Sequence, residues 1–180
     1  MSDDPRSEAS ECSYVLGEDG LARWSDVHSQ AWIGLLETHK RLTRALDAQL
    51  EAEHGLTLSA LEVLGRLAAA RDRRLRLSSL ASACGLSLSR ISRIVDALEA
   101  RDLVRRRRVE CDARAIDGEL TGAGLELVRS ARCSHFAAVQ EQFFGQLTDD
   151  EITQLAAIFG RFAPPCASAE CTTPEVSSAG

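Results

Sequence analysis

Apolar side chains recur every three to four positions along most of this chain, so helices dominate the expected structure. From Trp24 to Glu53 the stripe Trp32, Leu35, Leu36, His39, Leu42, Leu46, Leu50 runs along one side of a helix of about eight turns. "EHGLT" interrupts it, with Gly55 as a C-terminal stop and Thr57 as the next N-cap. Leu58, Leu61, Leu64, Leu67 and Ala68 then form the face of a second helix, followed by a charged loop, "RDRRLRL". Ser79 to Ala83 reads as a short helix, "CGLS" as a tight turn, and Leu88 to Ala100 as a helix capped by Ser87. In that last helix Leu88, Ile91, Ile94, Val95 and Leu98 lie on one side, and Ser89, Arg90, Ser92, Arg93 and Asp96 on the other.

The period then changes. Residues 103–109 and 115–120 read as two strands joined by the five-residue loop "ECDAR". Opposite charges favour a register with Val109 across from Ala115, Arg107 from Asp117 and Arg105 from Glu119. Thr121 can cap a long helix to about Gln146. Thr148 and Glu151 have capping-box spacing for a final helix with Ile152, Leu155, Ala156, Ile158, Phe159 and Phe162 as its apolar face, stopped by Pro164 and Pro165. Residues 1–20 and 163–180 are small, polar and proline-broken, and are expected to be disordered tails.

Charge sharpens this picture. The chain has 180 residues and a formal net charge of −6, yet Arg71 to Arg114 hold twelve arginines against six acids. That segment is therefore +6 and the remainder −12. One basic module in an acidic protein is the arrangement a polyanion would select, although a charge run by itself is ordinarily a solvated face. With 44% hydrophobic residues the chain can bury a sizeable core. No apolar run approaches the roughly 20 residues that span a bilayer, and no export signal is visible. A cytoplasmic protein without membrane partners is expected, its six cysteines (12, 84, 111, 133, 166 and 171) reading as free thiols.

Enzyme chemistry finds little support. Cys84 to Arg90, "CGLSLSR", has the C-x5-R spacing of cysteine-dependent phosphatases. That chemistry needs a glycine-rich loop after a strand, whereas a helical "LSSLASA" comes first and Ala83 stands where a histidine would. Cys84 reads better as a small hydrophobe in a turn. His28, His39, His54 and His135 match no metal-ligand spacing, so neither a metal nor a cofactor is expected.

"LASACGLSLSRISRI" has the spacing of a helix-turn-helix: Ala81 where two helices meet closely, Gly85 in the turn, Leu86 after it, and Ile91 and Ile94 anchoring the second helix. Joined to the hairpin, the segment "LSLSRISRIVDALEARDLVRRRRVECDARAIDGELTGAGLEL" resembles the core of the MarR family of bacterial transcription regulators. The resemblance rests on Leu98, Glu99, Leu103, Val104, Arg106, Asp112, Arg114, Leu120, Thr121 and Gly124. It reaches from "AW" at 31–32 through "HGLTLSALEVL" to "FFGQLTDDEITQL". Asp102 departs from it by replacing a glycine, as do Ala113, where an arginine is common, and "DGE" at 117–119.

The resemblance implies a mainly α-helical winged helix-turn-helix with a short β-hairpin wing, within a domain of residues 21–162. Residues 57–120 would bind DNA, and helices at 24–53 and 121–162 would form a homodimer. Ser87, Ser89, Arg90, Ser92 and Arg93 would enter the major groove of a palindromic operator. Arg106 and Arg108 would support them from the wing, with Arg114, oriented by Asp112, reaching the minor groove. Arg105 and Arg107 would instead be occupied by Glu119 and Asp117. A repressor released by a small aromatic or phenolic effector is implied, its cleft lined by Trp32 and His39 where the first helix passes over the DNA-binding module. A thiol-switched regulator of the same family, and an interaction module that kept the fold without binding DNA, are the alternatives.

Overall fold

The computed structural model describes residues 14–24, 26–109 and 112–162, with the side chains of 109–115 outside the description. The chain forms two units, 1–136 and 137–180. The first holds a short hairpin, β1 (Tyr14–Leu16) and β2 (Ala22–Trp24), then helices α1 (Asp26–His54) and α2 (Leu58–Ala69). A single helical turn at Arg71–Arg73 leads to β3 (Arg74–Arg76), α3 (Leu77–Ala83), α4 (Leu88–Glu99), β4 (Val104–Val109) and β5 (Asp112–Leu120). Helix α5 (Gly122–Gln142) comes next, and the second unit contains α6 (Asp149–Phe159). The mainly helical, winged architecture read from the sequence is the one observed.

The core of the first unit is aliphatic. Leu50 from α1, Val63, Leu64 and Leu67 from α2, Leu80 from α3, and Ile91 and Val95 from α4 are fully or almost fully buried. They lie in one cluster with Val104, Leu120 and Val128. The corner between α1 and α2 is pinned by caps as well as by burial. The Leu58 amide donates to Asp47 Oδ1 at 2.7 Å and the Ala60 amide to Thr57 Oγ1 at 3.1 Å, satisfying two of the helix's orphan donors. Gly55 takes φ +61 as the chain leaves α1.

Two pieces of strand structure escape a reading of the sequence. Arg74–Arg76 forms the outer strand of a three-stranded sheet of order β3-β5-β4, where the sequence suggests a charged loop. Tyr14–Leu16 pairs with Ala22–Trp24, in a stretch the sequence assigns to a tail and the start of α1. Residues 1–13 and 163–180, the rest of the expected tails, lie outside the described residues. The wing register holds for Arg105 opposite Glu119 and Arg107 opposite Asp117, but Val109 pairs with Asp112 instead of Ala115. A register shift between Arg108 and Val109 lets β5 carry extra residues, as a bulge does.

Asp102 and Gly124 explain two points of the motif. Asp102 has φ +56, a left-handed conformation that glycine adopts freely and that aspartate tolerates better than most residues. Thr121 ties the start of the wing to α5. Its hydroxyl donates to the Asp102 carbonyl at 2.7 Å and accepts from the Gly124 amide at 3.0 Å. At Gly124 a Cβ would stand 2.2 Å from the Leu103 carbonyl oxygen and 2.7 Å from Leu120 Cδ1, so the position has no room for a side chain.

In the second unit, α6 begins with the capping box expected for it. The Thr148 amide donates to Glu151 Oε2 at 2.8 Å and the Glu151 amide to Thr148 Oγ1 at 3.4 Å. The bonds that Thr148 donates hold the Glu151 carboxyl below its ordinary value.

Gly124→Ala is expected to destabilise the protein by about 1–3 kcal/mol in urea unfolding, because the blocking atom is backbone. Gly122→Ala, whose added Cβ meets nothing within 4 Å, should stay within about 0.5 kcal/mol of the parent.

Candidate nucleic-acid interface

Helices α3 and α4 meet across the turn at Gly85, which has φ +62. Ala81 is buried there, and the Leu86 amide donates to its carbonyl at 3.0 Å. Ser87 then caps α4, its Oγ accepting from the Arg90 amide at 3.3 Å and lying 3.1 Å from Ser89 Oγ. Burial of Ile91, Val95 and Leu98 fixes the rotation of α4. With that face inward, Ser89, Arg90 and Arg93 are exposed on the opposite side. Among the described residues, neither the Arg90 nor the Arg93 guanidinium has an ion-pair or hydrogen-bond partner. Two free cations and a row of hydroxyls on an exposed helix, facing out of a basic module, are suited to phosphates and the acceptor edges of bases.

Ser92 and Arg106 are used differently from the expectation. Arg106 lies on the inner side of β4, opposite Gly118, and turns toward α4. It pairs with Asp96 and lies 3.9 Å from Glu99. It also donates to the Ser92 carbonyl at 3.0 Å and to Ser92 Oγ at 2.9 Å. Its own backbone amide donates to Glu99 Oε1 at 2.9 Å. Arg106 therefore fastens the wing to α4, and the half-buried Ser92 belongs to that fastening. The cause is geometric: inner-face residues of β4 meet the flank of α4 before they can reach solvent.

The neighbouring arginines divide by strand face. Arg107 donates to Glu119 Oε2 at 2.7 Å, a diagonal partner, and Arg105 lies 3.4 Å from Asp102. The sequence register gives Arg107 and Arg105 the partners Asp117 and Glu119 instead. Arg74 from β3 takes Asp117 at 2.7 Å, and Asp117 is buried. The unforeseen third strand thus rearranges the pairing. Arg108 is exposed. The side chains of Asp112 and Arg114, expected at the wing tip, lie outside the described residues.

Arg101, which the sequence alone does not single out, ties the other end of α4 to α1. Its guanidinium donates to the Gly55 carbonyl at 2.5 Å and the His54 carbonyl at 3.0 Å, where the helix dipole favours a cation. A groove of about 560 Å³ opens beside it. Its lining includes Glu51, Thr57, Arg90, Arg93, Ile94 and Arg101, and neither Trp32 nor His39. Both of those side chains are exposed on the first half of α1, beyond the reach of the core that buries Leu46 and Leu50. Trp32 meets Trp24 edge-on, ring centroids 6.1 Å apart.

Cys84 lacks what a nucleophile needs: it follows a helix, and burial, aided by the Glu62 charge, pushes its thiol above the ordinary value. No group of three or more His, Cys, Asp or Glu among the described residues could hold a metal ion. No helix among them is long and apolar enough to cross a membrane.

Residues 54–115 match the sequence pattern of the MarR family. No curated protein matches the chain by sequence. Among solved structures, it is similar to AbsC, a MarR family transcriptional regulator from Streptomyces coelicolor. The identity is 34% and the TM-score 0.71 over 78% of this chain and 95% of AbsC. Sco3205, a regulator of the same family and organism solved in complex with DNA, is 31% identical, with a TM-score of 0.72 over 78% of this chain and 88% of its own. BldR from Sulfolobus solfataricus, at 23% identity and TM-score 0.63 over 76% of this chain and 96% of its own, shares the fold. This chain belongs to the MarR family of DNA-binding transcriptional regulators, a non-enzymatic class.

Arg106→Met should cost on the order of 1–2 kcal/mol of stability and speed hydrogen exchange in β4 and β5. Arg107→Met, which removes an exposed pair, should leave both nearly unchanged.

Proposed function

We propose that this protein is a homodimeric repressor that reads a palindromic operator through α4 and is released from it by a small aromatic or phenolic effector. The single observation that carries the DNA reading is the exposed pair Arg90 and Arg93, without ion-pair or hydrogen-bond partners among the described residues, beside Ser89 on a helix whose opposite face is locked into the core. The N-terminal half of such a helix supplies base contacts in the major groove. Ser87 and Ser89 present hydroxyls at its start, Arg108 would hold a flanking phosphate, and Arg114 of the wing, oriented by Asp112, would reach the minor groove. The Sco3205 structure contains DNA, which supports the same use of this fold here.

Dimerisation is supported by apolar surface that one chain leaves uncovered. Trp32, Ile33, Leu35 and Leu36 on α1, and Ile158, Phe159 and Phe162 at the end of the chain's described part, are each exposed by more than a third. Patches of this kind mark interfaces. Two-fold symmetry would then place half-sites about 10 base pairs apart. Trp32 and His39 lie two turns apart on the exposed half of α1, so an effector cleft lined by them would be completed by the second copy.

At matched salt, Arg93→Ala should weaken binding to the cognate duplex by about 1–3 kcal/mol, and equal affinity of variant and parent would refute the reading. A screen of small aromatic acids, scored by thermal stabilisation and loss of DNA binding, tests the effector. A compound that releases the parent should act poorly on Trp32→Ala and His39→Ala. Equal action on all three would place the cleft elsewhere.

A further inference from the structure

Helix α4 carries an apolar side of Leu88, Ile91, Ile94, Val95 and Leu98, of which Ile91, Val95 and Leu98 are buried and Ile94 packs partly buried against the core. Leu88 is 54% exposed. It is the first residue of the helix, directly after the Ser87 cap, and precedes Ser89, whose hydroxyl lies 3.1 Å from that of Ser87. A scattered exposed leucine is ordinary on a protein surface. This one occupies the N-terminal end of the helix, the end that enters the groove in the reading proposed above, and follows Ser87 and precedes Ser89 and Arg90 in sequence. Neither the Ser87 nor the Ser89 side chain extends as far as a leucine.

In the major groove, the base edges offer hydrogen-bond donors and acceptors to serine and arginine, and one apolar group, the thymine 5-methyl. We propose that Leu88 is a specificity-determining residue that packs against a thymine methyl in each half-site of the operator. This rests on the DNA reading proposed above. It assigns the thymine preference to an apolar contact, so removal of a methyl from the DNA and of the isobutyl group from the protein must act on the same contact. Leu88 contributes little to the core in its half-exposed state, so the fold should survive its truncation.

The test uses the full chain and a duplex enriched by it from a randomised pool. Each thymine is replaced in turn by deoxyuridine, which lacks only the 5-methyl. The parent should lose about fourfold in affinity at one symmetry-related pair of thymines for each methyl removed. Leu88→Ala, with thermal unfolding like the parent's, should bind the thymine duplex more weakly and lose nothing further at that pair. A parent indifferent to every replacement, or a variant with the parent's own pattern of losses, overturns the assignment to Leu88 while leaving DNA reading intact. Failure of the parent to enrich any sequence overturns both.

Discussion

The packing of Ile91, Val95 and Leu98 against α3, α2 and β4 is the constraint on which the rest depends. Burying each such side chain contributes roughly 1.5–3 kcal/mol, whereas an exposed ion pair contributes about 1 kcal/mol or less. Apolar burial therefore sets how α4 is rotated, and the polar residues take the positions left to them. Arg90 and Arg93 point outward because Ile91 and Val95 point inward. The Gly85 turn and the Ser87 cap set where the helix begins, so the same constraint also places Leu88 at its exposed end.

Arginine serves three purposes in this one module. Arg101 and Arg106 are structural: one binds the carbonyls that end α1, the other joins β4 to Ser92, Asp96 and Glu99 of α4. Arg74 and Arg107 neutralise Asp117 and Glu119 on the sheet. Arg90, Arg93 and Arg108 are left at the surface. The run Arg105–Arg108 is accordingly not a uniform basic patch. The alternation of a β-strand sends its members to opposite faces, and Arg106 is the one that meets α4. Mixed arginine use of this kind makes net charge a fair guide to the module's partner and a poor guide to which side chains touch it.

Much of the fold is legible in the sequence because long helices repeat their signal. The stripes of α2 and α4, the caps at Thr57 and Ser87, and the Thr148–Glu151 box are local patterns, and local patterns persist in the folded chain. Strands β1, β2 and β3 have three residues each, too few to show a period, and β3 consists of Arg-Leu-Arg. It is a strand only because β5 lies beside it. That hidden neighbour is also why Asp117 pairs with Arg74 rather than with Arg107. Ser92 and Leu88 depart from the sequence reading for a similar reason: a helical wheel shows which residues share a side, but not where the neighbouring elements stop. Arg106 covers Ser92, and the core ends before Leu88. Trp32 and His39 share a stripe with Leu46 and Leu50, but α1 outruns the core, so the inward face of its first half faces no part of the core.

In the proposed complex α4 lies in the major groove of two symmetric half-sites. Methylation interference on the enriched duplex tests it most directly, because dimethyl sulfate adds its methyl to guanine N7 in the major groove and to adenine N3 in the minor groove. N7 methylation is expected to block binding in two clusters centred about 10 base pairs apart, with adenine N3 interference confined to the flanks of each cluster. Interference at adenine N3 alone, or a single unpaired cluster at N7, would contradict it.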